Sequence, residues 1–152
     1  MAHQQNGLRH NISFITLGVE DLNRSRNFYM SMGLEEHPSS NENVAFFDMG
    51  GQLFALFNRE SLAEDAGVEL TRGGGITGSL SQNVANREDI DHILSRAAMA
   101  GGRIVKQPSS PPWGGVRGYF SDPDGFIWEI AWNPATRIDE HGRVHLGTDI
   151  ND

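Results

Sequence analysis

Glu129 is the residue of this chain best placed to do chemistry: an acid set inside the apolar and aromatic run Ile127-Trp128-Glu129-Ile130-Ala131-Trp132. A carboxylate in apolar surroundings holds its proton more tightly than in water, so it can move a proton near neutrality as a general acid or base. The other reading is a structural acid satisfied by a hydrogen bond from Ser79 or Asn83. His141 and His145 stand four apart, which on a helix would place two imidazoles on one face as metal ligands. Gly142 and the polar residues around them argue against a helix there. His92 falls within a helical stretch beside Asp91 and is expected at the surface. There are 0 cysteines, which excludes thiol nucleophiles, thiolate metal sites and disulfides. No serine lies on a nucleophile elbow.

The elements that must position Glu129 are written twice. Gly18-Val19-Glu20-Asp21 opens a helical stretch that closes at Gly33, and Asn83-Val84-Ala85-Asn86 opens another that closes at Gly101-Gly102. Each is followed by two apolar runs around a tight turn: Gly50-Gly51 in the first half and Asp122-Pro123-Asp124-Gly125 in the second. Superposing the halves pairs Phe14 with Ser79 and Ala55 with Glu129.

The first strand is expected from Ile12 to Val19. It leads to a helix capped by Asp21, with Leu22, Ser25, Phe28, Tyr29 and Met32 at helical spacing. A short strand near Leu34 to His37 is expected before the hairpin of Val44 to Met49 and Gln52 to Asn58, and a turn of helix over Ser61 to Gly67 after it. In the second half, Asn86 is expected to cap a helix that buries Ile90, Ile93, Leu94 and Ala97. The organisation is thus a polar arm over 1–11, a βαβββ module over 12–70, a Gly-rich linker over 71–78, a second βαβββ module over 79–134 and a polar tail over 135–152. Arg72-Gly73-Gly74-Gly75 is read as linker and not as a phosphate loop, because no apolar strand feeds it and no Gly-Lys-Ser/Thr follows.

The balance of 12 basic against 20 acidic residues, a net charge of -8, disfavours nucleic acid and anionic membrane as partners. No apolar run reaches the length of a signal peptide or a membrane span, so the expectation is a cytoplasmic protein. Asn11-Ile12-Ser13 and Asn23-Arg24-Ser25 are then chance matches to the glycan sequon.

Val19-Glu20-Asp21-Leu22 with Ser25, Phe28-Tyr29 and Gly33-Leu34, and then Phe120-Ser121-Asp122-Pro123-Asp124-Gly125 with Trp128-Glu129-Ile130, resemble the vicinal oxygen chelate superfamily. That group includes glyoxalase I, bleomycin-resistance proteins and extradiol dioxygenases. The resemblance implies an α+β fold of two βαβββ modules whose mixed sheets curl into an open barrel, usually in a homodimer. It also implies, in the members that do chemistry, one divalent metal held by His, Glu or Gln from the first and last strand of each module. The matching positions here are Phe14, Ala55, Ser79 and Glu129. Only Glu129 binds a metal well, so no metal and no other cofactor is expected.

Strand parity places Phe14, Thr16, Leu53, Ala55, Phe57, Ser79, Ser81, Asn83, Ile127, Glu129 and Ala131 on the inner faces, an apolar surface with a few neutral donors and one acid. Ser81 and Asn83 either orient a ligand carbonyl or satisfy each other. Trp128 and Trp132 are expected to pack on the helices, and Trp113, on a Pro- and Gly-rich loop, could stack on a ligand. The favoured function is a small-molecule binder without a metal, whose single acid prefers ligands with a hydroxyl, amide or cationic group. The runner-up is a lyase, isomerase or dioxygenase that uses Glu129 or an unrecognised metal site. A dimeric structural or regulatory module with a vestigial pocket is the third.

Overall fold

The computed structural model describes residues 12–146 apart from 68, 71–78 and 113. The expected arm, the linker with Arg72 to Gly75, and Trp113 therefore lie outside the described residues. The described elements run β1 (Phe14–Val19), α1 (Leu22–Ser31), β2 (Val44–Asp48), β3 (Leu53–Asn58), α2 (Arg59–Ala66), β4 (Leu80–Asn83), α3 (Glu88–Met99), β5 (Arg103–Ser109), β6 (Val116–Ser121), β7 (Ile127–Trp132), β8 (Thr136–Ile138) and β9 (Val144–Leu146). The fold is α+β with two mixed sheets. One has the order β1-β3-β2 and the other β4-β7-β6-β5, each with a parallel pair, β1 with β3 and β4 with β7.

The described chain forms two compact units. One holds β1, β2, β3 and α2; the other holds α1 from Asn23 onward, α3 and β4 to β9. In the first, Val19, Ala45, Phe47, Phe54 and Leu56 are buried on one face of the three-stranded sheet. Alternation along each strand therefore turns Phe14, Thr16, Ala55 and Phe57 to the other face. The strand expected near Leu34 to His37 shrinks to a single bridge, Glu36 to Phe47. Pro38 follows directly on His37, and its missing N–H ends the pairing there. Asn58 caps α2 by accepting the backbone N–H groups of Glu60 and Ser61, and Gly67 ends the helix in the left-handed conformation.

In the second unit α3 buries Ile90, Leu94 and Ala97. Asn86 does not cap it through its side chain. The helix starts at Glu88 without a side-chain cap, and Glu88, Asp89 and Asp91 in the first turn compensate its N-terminal dipole. Gly118 is what lets α3 approach the sheet: a Cβ there would lie 2.7 Å from the Leu94 side chain. Helix α1, which sits between β1 and β2 in sequence, packs with this second sheet through Phe28, Tyr29, Phe120 and Trp128.

The tail from 135 is not featureless. Residues Thr136 to Leu146 form a hairpin, β8 with β9. Asp139 closes its turn by accepting the backbone N–H groups of His141 and Arg143, and Gly142 takes a φ of 78°.

The turn that leads into β7 is as the residue types predict. Asp122 Oδ1 accepts the N–H groups of Asp124 and Phe126, both at 2.9 Å, and Gly125 has a φ of 91°. Nothing lies within 4 Å of a Cβ placed on Gly125, so the cost of Gly125→Val is assigned to the strained positive φ. The expected loss is about 1–3 kcal/mol, read as a lower denaturation midpoint. An unchanged midpoint would contradict the turn.

Candidate functional site

The second sheet presents one face to α3 and the buried aromatic cluster. On its other face the four strands place one residue each in a row: Ser81, Glu129, Tyr119 and Lys106, in the order β4-β7-β6-β5. The next row is Asn83, Ala131, Arg117 and Ser109. These pairs follow from the hairpin register, since Ser121 opposite Ile127 puts Tyr119 opposite Glu129.

Glu129 is half-buried, and each of its carboxylate oxygens accepts a hydroxyl. Ser81 Oγ donates to Oε1 at 3.1 Å and Tyr119 Oη donates to Oε2 at 2.8 Å. The partners expected for a satisfied Glu129 are Ser79 or Asn83. The bond comes from Ser81 because that residue, and not Ser79, is in register with Glu129. Glu129 also raises the Tyr119 hydroxyl above its usual value, chiefly by accepting its hydrogen bond. Arg117 Nη1 donates to the Ser109 hydroxyl at 2.6 Å and to its carbonyl at 3.2 Å.

In the first sheet, Phe14 is 50% exposed and meets Phe46 edge to face at 6.0 Å. Ala55 is buried, flanked in register by Thr16 and Phe46. The internal repeat holds in register: Thr16 with Ala55 corresponds to Ser81 with Glu129, and Phe46 to Tyr119. An open cleft in this unit is lined by Leu22, Glu42, Asn43, Phe57, Asn58 and Ser61. Of the expected ligand residues only Phe57 reaches it, so this cleft is not the surface that strand parity picked out.

The family positions do not fit a divalent metal. Phe14 and Ala55 carry no donor atom, Ser79 carries a neutral hydroxyl, and the Glu129 oxygens are already engaged. Among the described residues no three His, Asp or Glu side chains converge as a metal site. His141 and His145 do not share a helix face. They lie on the β8-β9 hairpin, where His141 contacts Glu140 and His145 Nε2 lies 2.9 Å from Asp139 Oδ2. That contact and the turn N–H groups hold the Asp139 carboxyl well below its usual value.

Tyr119, Arg117 and Lys106 are not singled out by the sequence. The signal that finds Tyr119 and Arg117 is the Asp122 to Gly125 turn, which fixes the pairing of β6 and β7; no local pattern finds Lys106, which β5 places through two register irregularities.

Over residues 11–130 the chain matches the Glyoxalase/Bleomycin resistance protein/Dioxygenase superfamily, and it belongs to that superfamily. It is similar to a glyoxalase-related enzyme from Fulvimarina pelagi, with 36% identity and a TM-score of 0.83 over 91% of this chain and 99% of that one. It is also similar to a glyoxalase/bleomycin resistance protein/dioxygenase from Nocardioides, with 25% identity and a TM-score of 0.70 over 84% and 86% of the two chains. Lactoylglutathione lyase from Agrobacterium tumefaciens shares the fold at 22% identity and a TM-score of 0.62, over 83% and 96%. No curated protein matches the chain. Among the described residues no helix is long and apolar enough to cross a membrane.

Proposed function

We propose that this chain is a cytoplasmic, homodimeric member of the superfamily that binds a small organic molecule without a metal or other cofactor. In the second unit the residues assigned to binding in this reading are Ser79, Ser81, Asn83 and Glu129; the assignments of Phe14, Thr16, Ala55 and Phe57 on the first sheet, and of Trp113, rest on the sequence alone. The observation that carries it is the Glu129 carboxylate, held by the Ser81 and Tyr119 hydroxyls with no cluster of three His, Asp or Glu side chains around it among the described residues. A carboxylate so held presents a fixed acceptor to a ligand, and apolar neighbours supply contact area.

Protein purified without chelator or affinity-tag metal should hold well under one equivalent of Ni, Zn, Fe or Mn per chain. A stoichiometric metal that EDTA removes with loss of thermal stability would refute the reading, because a tightly bound ion stabilises the folded state. For a ligand found by thermal shift, Glu129→Ala should weaken binding by about 1–3 kcal/mol, while His141→Ala should leave it unchanged. The reverse pattern would move the site to the hairpin.

A second reading, an enzyme of the same superfamily with Glu129 as acid or base, is favoured by the likeness to the glyoxalase-related enzyme from Fulvimarina pelagi. Turnover lost in Glu129→Gln with ligand affinity retained would select it.

A further inference from the structure

The face that carries Glu129 carries three cations. Arg103, Lys106 and Arg117 are paired in register with Ser121, Tyr119 and Ser109, so all three lie on the same side of the sheet as Glu129. Among the described residues none of the three forms a salt bridge. In a chain of net charge -8, a single sheet face with three cations against one acid is a local reversal of sign.

The positions of the charges are graded. Glu129 and Lys106 end a Glu129-Tyr119-Lys106 row that crosses two strand spacings, about 10 Å between backbones. Arg117 stands on the middle strand, one residue pair along from that row. Ser109 takes up its Nη1 and so orients the guanidinium, whose planar set of five N–H donors suits a carboxylate. The carboxylate of Glu129 would repel a bare anion placed against it but accept a hydroxyl or ammonium donor.

Resting on the reading that this face binds a small molecule, we propose that its ligand is a small hydroxy- or aminocarboxylate. Its acid group lies toward Arg117 and Lys106, and its hydroxyl or ammonium donor lies toward Glu129. This class differs from the one the sequence favoured, because Glu129 alone disfavours anions whereas Arg117 and Lys106 beside it attract them. The tie from Tyr119 to Glu129 keeps the acceptor fixed at the donor end of such a ligand.

The test is calorimetric titration of the full chain with lactate, malate and mandelate, each against its neutral amide. At least one acid should bind at least tenfold tighter than its amide. Lys106→Gln, an exposed substitution without consequence for the core, and Arg117→Gln should each weaken the acid more than its amide and so shrink that preference. Amides binding as tightly as the acids would overturn the proposal, as would a preference that survives both substitutions. If none of these six compounds binds while neutral compounds outside the set do, the ligand class is wrong and the binding reading stands. If no compound of any charge binds, both fall.

Discussion

Asp122→Ala is expected to lower stability by about 2–4 kcal/mol, because a buried donor left without an acceptor costs about 1–3 kcal/mol and the two part-buried ones add less each. Asp122 is 2% exposed and serves three donors. Its Oδ1 accepts the Asp124 and Phe126 N–H groups and its Oδ2 accepts the Tyr29 hydroxyl at 2.8 Å. Tyr29 in turn accepts Trp128 Nε1 at 3.2 Å, so the loss would spread into the aromatic cluster. Asp124 adds a second tie to α1 by accepting Ser25 Oγ at 3.0 Å and Arg24 Nη2 at 3.2 Å. The turn residues thus hold the helix as well as the hairpin.

The same residue predicts a pH dependence. Burial raises the Asp122 carboxyl above its usual 3.8, against the lowering effect of the Tyr29 and backbone hydrogen bonds. A carboxyl that holds its proton more tightly folded than unfolded stabilises the fold fully below 3.8 and loses that contribution as pH rises through its folded value. Asp139 acts in the opposite sense: its lowered carboxyl contributes above 3.8 and loses the contribution in acid. Asp122→Asn keeps the turn's acceptor and leaves Asp139 untouched. The difference in denaturation midpoint between wild type and Asp122→Asn, followed from about pH 3 to about pH 7, should shift against wild type as pH rises. A difference independent of pH would show that Asp122 does not titrate differently in the folded and unfolded states. Tyr29, raised by burial and by Asp122, adds a loss of stability above its usual 10.0.

The repeat, the two hairpins, the helices and the turn at Asp122 to Gly125 were legible because each is a local pattern of apolar spacing and turn chemistry. The row across the second sheet was half legible. Parity placed Ser81 and Glu129 on one face, but naming Tyr119 and Lys106 requires the register of β5, β6 and β7. The turn fixes β6 against β7, whereas β5 is paired through two irregularities that no local pattern announces. The C-terminal hairpin was hidden by composition. Its short strands carry polar and charged residues, and the turn signal is confined to Asp139 and Gly142. The partner of α1 was not legible either, since periodicity shows which face of a helix is buried and not what buries it.

That partner gives the remaining large effect. Phe28→Ala is expected to cost about 3–5 kcal/mol, the range for removing a buried phenylalanine from a packed core. Phe28 is 1% exposed; its ring meets Tyr29 edge to face at 5.0 Å and Phe120 at 6.4 Å. Gly102 makes room for it, since a Cβ there would stand 2.9 Å from the ring. Phe120 lies on β6 and stacks on Trp128 at 6.0 Å, so the energy of Phe28 is shared with the second sheet. A double-mutant cycle of Phe28→Ala with Phe120→Ala should therefore show a coupling of about 0.5–3 kcal/mol, as residues in contact do. If α1 drew its stability from β1 and β2, its neighbours in sequence, the two losses would add to within about 0.5 kcal/mol. Chemical denaturation of the wild type, the two single variants and the double variant decides between them.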